Sequence, residues 1–236
     1  MEIACPRRVF NACSCSAETD VLILELIKGI IVPPCILYSL SSIVNPEWVG
    51  SKGFVKAFCE KIYTIPSELF KNNTLVTSFS ATFKMCKNVS SIPSELFSSC
   101  PKVTTFVGVF NGCTSLTSVP EGLFDNNTIV TSFGKWWNGA FQECSNLVSV
   151  PTDLFKYNTE VASFNCAFIS CNNLKNIPDL SNNTKVTDFS WMFENCTNVE
   201  GEAYPIWNFT SVTNFNKCFL GCKKLSNYSE IPTDWK

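Results

Sequence analysis

The sequence predicts a repeat solenoid of six coils, each about 27 residues long and built from short β-strands and short helical turns, behind a separate N-terminal segment. Three observations predict it. An apolar-Pro dipeptide recurs at Ile65-Pro66, Ile92-Pro93, Val119-Pro120, Val150-Pro151, Ile177-Pro178, Tyr204-Pro205 and Ile231-Pro232, at spacings of 27, 27, 31, 27, 27 and 27 residues. A cysteine recurs at Cys86, Cys113, Cys144, Cys171, Cys196 and Cys222, and a phenylalanine stands three residues before each, at Phe83, Phe110, Phe141, Phe168, Phe193 and Phe219. Three residues after each cysteine comes Val89, Leu116, Leu147, Leu174, Val199 or Leu225. Series locked together at one period signal stacked units, because a single unit cannot bury its apolar face alone.

Each stretch of the unit has its own physical reading. Val89-Ser90-Ser91-Ile92 predicts a short strand, and Pro93 closes it where no ladder bond is needed. Leu96-Phe97 is placed on a turn of helix, and Val103-Thr104-Thr105-Phe106 on a second strand. From Phe106 to Cys113 apolar residues fall at i, i+4 and i+7, one face of a helical turn. Sixteen of the 20 phenylalanines lie on this grid, so they are expected in the core. Leu180 and Trp207 stand in the two late units that lack Leu-Phe, and the smaller Leu180 predicts narrower C-terminal coils. The periodic cysteines are expected to be reduced and unreactive: in a ladder, identical side chains point parallel and not towards each other, and burial in apolar surroundings keeps a thiol protonated.

Residues 1–50 are off the period and are expected to form a cap or anchor, with the repeats over 51–236; the open end of such a stack must be covered. The apolar run Val21 to Val32 contains Glu25 and Lys28 and ends at Pro33-Pro34. It is shorter than the roughly 20 residues of a membrane span, so a buried helix or strand is the reading and no span is expected. The first twenty residues lack the pattern of a secretory signal. Cys5, Cys13, Cys15 and Cys35 hold enough thiols for a zinc site but no paired Cys-x-x-Cys, so no metal is assigned.

Composition excludes several function classes. The chain has no His, which removes the commonest general base and metal ligand. Its net charge is −2 with 16% charged residues, so the basic footprint of a nucleic-acid binder is missing. No catalytic residue, cofactor or metal is expected, and the protein is read as a non-enzyme.

The stretch Val186-Thr187-Asp188-Phe189-Ser190-Trp191-Met192-Phe193-Glu194-Asn195-Cys196 resembles the BspA-like leucine-rich repeats of bacterial surface proteins, as does Val212-Thr213-Asn214-Phe215 with Phe219-Leu220-Gly221-Cys222. The resemblance implies a leucine-rich-repeat solenoid that adheres to proteins, glycans or other cells. It implies a location at a cell surface, although no signal peptide is seen, and it carries no catalytic residues. The alternative expectation is a structural component of a virion or surface appendage, docked to an assembly partner through residues 1–50.

Three polar patterns have plain structural readings. The Asn-x-Ser/Thr sites at Asn72, Asn88, Asn126, Asn182, Asn195, Asn208 and Asn227 are read as turns. The series Thr77, Thr104, Thr131, Thr187 and Thr213, broken by Ala162, suits an exposed strand face, with ice binding as the sharper alternative. The single 31-residue interval is more informative. Its four extra residues fall between Phe133 and Phe141, within Gly134-Lys135-Trp136-Trp137-Asn138-Gly139-Ala140. Insertions in a solenoid go outward into loops. Trp136 and Trp137, with Lys135 and Asn138, are therefore the candidate partner contact, for a protein or glycan ligand. The competing reading folds both rings back over Phe133 and Phe141.

Overall fold

The computed structural model describes residues 62–236. The cap or anchor assigned to 1–50, including the Val21 to Val32 run and Cys5, Cys13, Cys15 and Cys35, lies outside the described residues. So do residues 51–61.

Successive repeats lie on one another and pair in parallel. Ser78 bridges Thr105, Thr105 bridges Ser132, Ser163 bridges Asp188 and Asp188 bridges Asn214, while β1 (Ser132–Lys135) pairs parallel with β3 (Ser163–Phe164). The threonine positions sit on this ladder: Thr104 N donates to Thr77 O, Thr131 N to Thr104 O, and Ala162 N to Thr131 O, each at 2.8 Å. Their hydroxyls follow the same direction, with Thr104 Oγ1 on Thr77 O at 3.1 Å and Thr131 Oγ1 on Thr104 O at 3.2 Å. The Thr column therefore ties coil to coil. A second ladder runs through the other strand, with Val148 N on Thr117 O at 2.8 Å and Lys175 N on Val148 O at 2.9 Å.

The expected helical turns are not there. The described residues contain no α-helix, only two 3-10 turns at Ile206–Asn208 and Thr233–Trp235. Leu96 N bonds Pro93 O in a single turn that does not continue. Between Phe79 and Cys86 the chain makes two turns, each with a left-handed residue, Ala81 (φ 57°) and Met85 (φ 64°). Gly108 and Gly112 take the same places in the next repeat, and Trp191 and Asn195 in a later one. A left-handed residue every fourth position prevents helix propagation. The freed N–H groups bond outward to the next coil instead, as in Phe83 N to Val109 O at 2.8 Å. An apolar spacing of four is common to helices and to such paired turns, which explains the misreading.

The core is a set of phenylalanine columns. Phe83, Phe110, Phe141, Phe168, Phe193 and Phe219 stack in order, with ring centroids 5.4, 5.6, 5.3, 5.5 and 5.7 Å apart. Phe79, Phe106, Phe133, Phe164 and Phe189 make a second column, and Phe70, Phe97, Phe124 and Phe155 a third. Tilted pairs such as Phe97–Phe106 at 4.8 Å lock the second and third columns together. Leu180 follows Phe155 as a smaller buried residue. Trp235 stacks on Phe215 at 4.8 Å and also meets Phe189, adding aromatic bulk to the last repeats.

The cysteines are more than filler. Each Sγ–H donates to the phenylalanine carbonyl of the preceding coil: Cys113 to Phe83 at 3.1 Å, Cys144 to Phe110 at 3.2 Å, Cys171 to Phe141 at 3.0 Å, Cys196 to Phe168 and Cys222 to Phe193 at 3.1 Å. These five are free thiols. The expectation of a fully reduced series is corrected at Cys86, which is disulfide-bonded. The other described cysteines are free. The parallel-ladder argument holds within the column of free thiols, Cys113 to Cys222.

A second polar column is buried at the Asn-Thr turns. Asn127 Nδ2 donates to Phe97 O (3.2 Å) and Cys100 O (2.9 Å), Asn158 Nδ2 to Phe124 O (3.1 Å) and Asn127 O (3.0 Å), and Asn183 Nδ2 to Phe155 O (3.2 Å) and Asn158 O (3.0 Å). Asn227 is likewise buried, accepting from Ala203 N at 3.0 Å and donating to Ala203 O at 2.8 Å. It lies in a turn, as expected, and its side chain there takes the place of a peptide group in the second ladder. No helix among the described residues is long and apolar enough to cross a membrane.

Candidate functional site

The insertion is an ordered β-hairpin. β1 pairs antiparallel with β2 (Asn138–Gly139) in the register Gly134↔Gly139 and Lys135↔Asn138. Trp136 (φ 54°) and Trp137 (φ 64°) form its two-residue turn. Positive φ at both central residues is the signature of the type I′ turn, whose twist matches a hairpin and which normally takes Asn or Gly. A left-handed L-residue costs roughly 1–2 kcal/mol, so two adjacent tryptophans here are an expense that the fold itself does not require.

Two glycines seat the hairpin on the stack. A Cβ on Gly134 would overlap the carbonyl oxygen of Asn165, and one on Gly139 that of Cys166. The base is held by polar contacts on both sides. Asn138 Oδ1 accepts from Lys84 Nζ at 2.6 Å and from Asn111 Nδ2 at 3.1 Å. Ser163 Oγ donates to Gly134 O at 2.7 Å, and Trp137 N to Asn165 Oδ1 at 3.4 Å. Gly108 (φ 66°) leaves room beneath Asn138, whose Oδ1 would stand 3.2 Å from a Cβ there.

The rings stand in solvent. Trp136 is 82% and Trp137 61% exposed, so the chain does not fold them over Phe133 and Phe141. Lys135 Nζ lies 5.7 Å from the Trp136 ring centroid, a cation–π distance. Trp137 meets Trp191 with centroids 4.3 Å apart and planes at 38°. Trp191 (φ 56°) is a member of this cluster that the sequence alone did not mark. It belongs to the repeat motif, and nothing in its neighbours on the chain points to a residue 54 positions earlier.

Little else offers chemistry. The strongest pKa shifts belong to the core thiols, with Cys144, Cys171, Cys196 and Cys218 held well above their ordinary value by burial. Such thiols are poor nucleophiles at neutral pH. Among the described residues no group of His, Cys, Asp and Glu could hold a metal ion. An open depression is lined by Thr152, Asp153, Lys156, Asp179 and Asn182.

No protein-family model matches the chain, and a search of the curated proteins finds no relative. Among solved structures it resembles a leucine-rich repeat protein from Eubacterium ventriosum, at TM-score 0.38 and 21% identity over 67% of this chain and 42% of that one. It also resembles a leucine-rich repeat protein of T. pallidum, at TM-score 0.19 and 15% identity over 58% of this chain and 72% of that one. The chain thus spans under half the length of the first of these proteins, and the proteins it resembles are leucine-rich-repeat proteins.

Proposed function

We propose that this chain is a non-enzymatic binding module, a BspA-like leucine-rich-repeat solenoid of the cell-surface adhesin type. It holds a protein or glycan partner at the Trp136–Trp137 hairpin. The observation that carries the reading is the exposed, left-handed tryptophan pair on a rigid base. Core packing gains little from rings that are 82% and 61% exposed, and backbone strain kept at a surface site is characteristic of function. Tryptophan combines a large apolar area with an N–H donor and is enriched among binding hot spots. Seating on Gly134 and Gly139 limits the entropy lost on binding.

The test is surface plasmon resonance of the full chain against a panel of immobilised extracellular proteins and glycans, beside the double variant Trp136→Ser/Trp137→Ser. A partner that binds the native chain should lose most of its affinity for the variant, while the variant's melting temperature stays near that of the native chain. Equal binding by both would remove the hairpin from the contact surface.

A further inference from the structure

We infer that Asp188 is a positioning residue for the Trp136–Trp137 hairpin, fixing both the backbone and the ring of Trp137 from the coil that carries Trp191. Where binding is concerned, this role rests on the reading of the hairpin as the contact site; the seating of the hairpin does not.

Asp188 is a carboxylate at a position where the earlier repeats use a hydroxyl. It pairs along the ladder with Ser163, which follows Ser78, Thr105 and Ser132. The side-chain oxygen at this position accepts the N–H two residues on: Ser80 N reaches Ser78 Oγ at 3.2 Å, Asn165 N reaches Ser163 Oγ at 3.2 Å, and Ser190 N reaches Asp188 Oδ1 at 2.9 Å. Serine therefore satisfies the turn, and the turn itself needs no charge. Asp188 is half-buried and has no ion-pair partner among the described residues. Holding a charge there without a counter-ion costs stability.

What the carboxylate adds is direction. An ionised carboxylate only accepts hydrogen bonds. Ser190 Oγ must then donate to Asp188 Oδ1, which leaves its lone pairs to accept from Asn165 Nδ2 at 2.9 Å. Where Ser78 stands in place of Asp188 the pair runs the other way, with Ser78 Oγ donating to Ser80 Oγ at 3.1 Å. Asn165 Nδ2 also donates to Ser190 O at 3.4 Å, so its Oδ1 is turned to Trp137, whose N–H it accepts at 3.4 Å. That last bond is long, and what it supplies is orientation more than strength. A reversed Asn165 amide would set oxygen against Ser190 O and N–H against the N–H of Trp137. Ser190 is 0% and Asn165 6% exposed, so the relay runs in a low dielectric that strengthens it.

The same carboxylate oxygen reaches the ring. By holding Ser190 N it sets the entry to the left-handed Trp191 (φ 56°), whose ring lies on Trp137 at 4.3 Å. Cys166 N donates to Ser190 O at 3.0 Å and ties this segment to the neighbouring coil. The Trp137 and Trp191 rings cover each other's faces, so the pair braces the hairpin and leaves Trp136 as its projecting side chain.

The experiment is circular dichroism of the full chain, of Asp188→Ser, of Ser190→Ala and of the double variant, with thermal melts establishing that each is folded. Serine at 188 restores the residue that earlier repeats use. Both single variants should lose most of the Trp137–Trp191 exciton signal, and their losses of melting temperature should not add in the double variant, because the two residues act in series. A carboxylate that only supported the ladder would lower the melting temperature and leave the exciton signal of the folded chain intact. An unchanged signal in folded Asp188→Ser, or melting losses that add, overturns the inference. Should Asp188→Ser fail to fold, a signal retained in Ser190→Ala overturns it alone. A partner held by the hairpin should bind Asp188→Ser roughly tenfold more weakly, as for one lost hydrogen bond to a charged group. If the signal falls while every partner found binds Trp136→Ser/Trp137→Ser as it binds the native chain, the contact reading is wrong and the positioning role holds. If the signal is unchanged while a partner depends on Trp137, the positioning role is wrong and the contact reading stands.

Discussion

Replacing Gly139 by alanine should detach the hairpin from the stack. The added methyl would overlap the carbonyl oxygen of Cys166 and stand 2.7 Å from Ala167 N. Both are backbone atoms, so no side-chain rotation relieves the clash. The strand must lift by more than about 1 Å to restore ordinary contact distances. Lifting stretches Ala140 N–Phe133 O, Phe110 N–Ala140 O and Phe141 N–Ala167 O, all 2.8 Å in the native chain. At roughly 0.5–1.5 kcal/mol net per bond, the loss is about 3 kcal/mol. For a protein of this size that lowers the melting temperature by about 6–12 °C. Gly201→Ala is the matched control. Gly201 (φ 81°) has no atom within 4 Å of a Cβ, so it bears only the left-handed backbone cost, about 1 kcal/mol. Circular dichroism serves as both assays: the far-ultraviolet melt reports stability, and the exciton signal of the Trp137–Trp191 pair reports the seat of the hairpin. A Gly139→Ala chain that keeps this signal and melts within about 2 °C of the native protein would refute the close-approach argument.

Three further outcomes are expected. Phe110→Ala, which removes a wholly buried ring between Phe83 and Phe141, should cost about 3–5 kcal/mol in urea denaturation; a cost under about 1 kcal/mol would mean the column is not continuous. Asn158→Ala removes two donors to buried carbonyls and should cost about 1–3 kcal/mol; Asn158→Asp, which turns a negative group towards the same oxygens, should cost more, and the reverse order would dismiss the Asn column as a stabilising device. Burial pushes Cys113 and Cys222 up to about 12 from 9.0, so above about pH 9 the unfolded chain releases protons that the folded chain keeps. Their stabilising contribution is whole below pH 9 and is lost as pH rises towards 12, at up to about 1.4 kcal/mol per pH unit for each thiol. Melts between pH 8 and 11 should steepen accordingly, and Cys113→Ala/Cys222→Ala should flatten the curve; an unchanged slope in that variant counts against the burial argument.

The sequence by itself determined the period, the residues that share a column and the place where the period breaks. The reason is translational: when one unit follows another at a constant interval, residues at equal positions must stack, so Phe83, Phe110 and Phe141 declare their contacts by number alone. It also pointed to Trp136 and Trp137, because four extra residues in a stacked array have nowhere to go but outward. The turn type from Phe79 to Cys86 was less legible, since phenylalanines four apart satisfy a helix as well as two left-handed turns. Gly108, Gly112 and Gly221 carried the missing signal, as glycine repeated before the cysteine favours positive φ. The buried column of Asn127, Asn158 and Asn183 was not legible, because an amide that caps a turn and one that bridges two coils look alike in sequence. Only the tertiary structure decided the rest. Trp191 reaches Trp137 because two coils of stacking bring their turns together, and Gly134 and Gly139 are essential because the next coil's carbonyls pass directly over them. Contacts of that kind depend on the rise and rotation between coils, which no single repeat encodes.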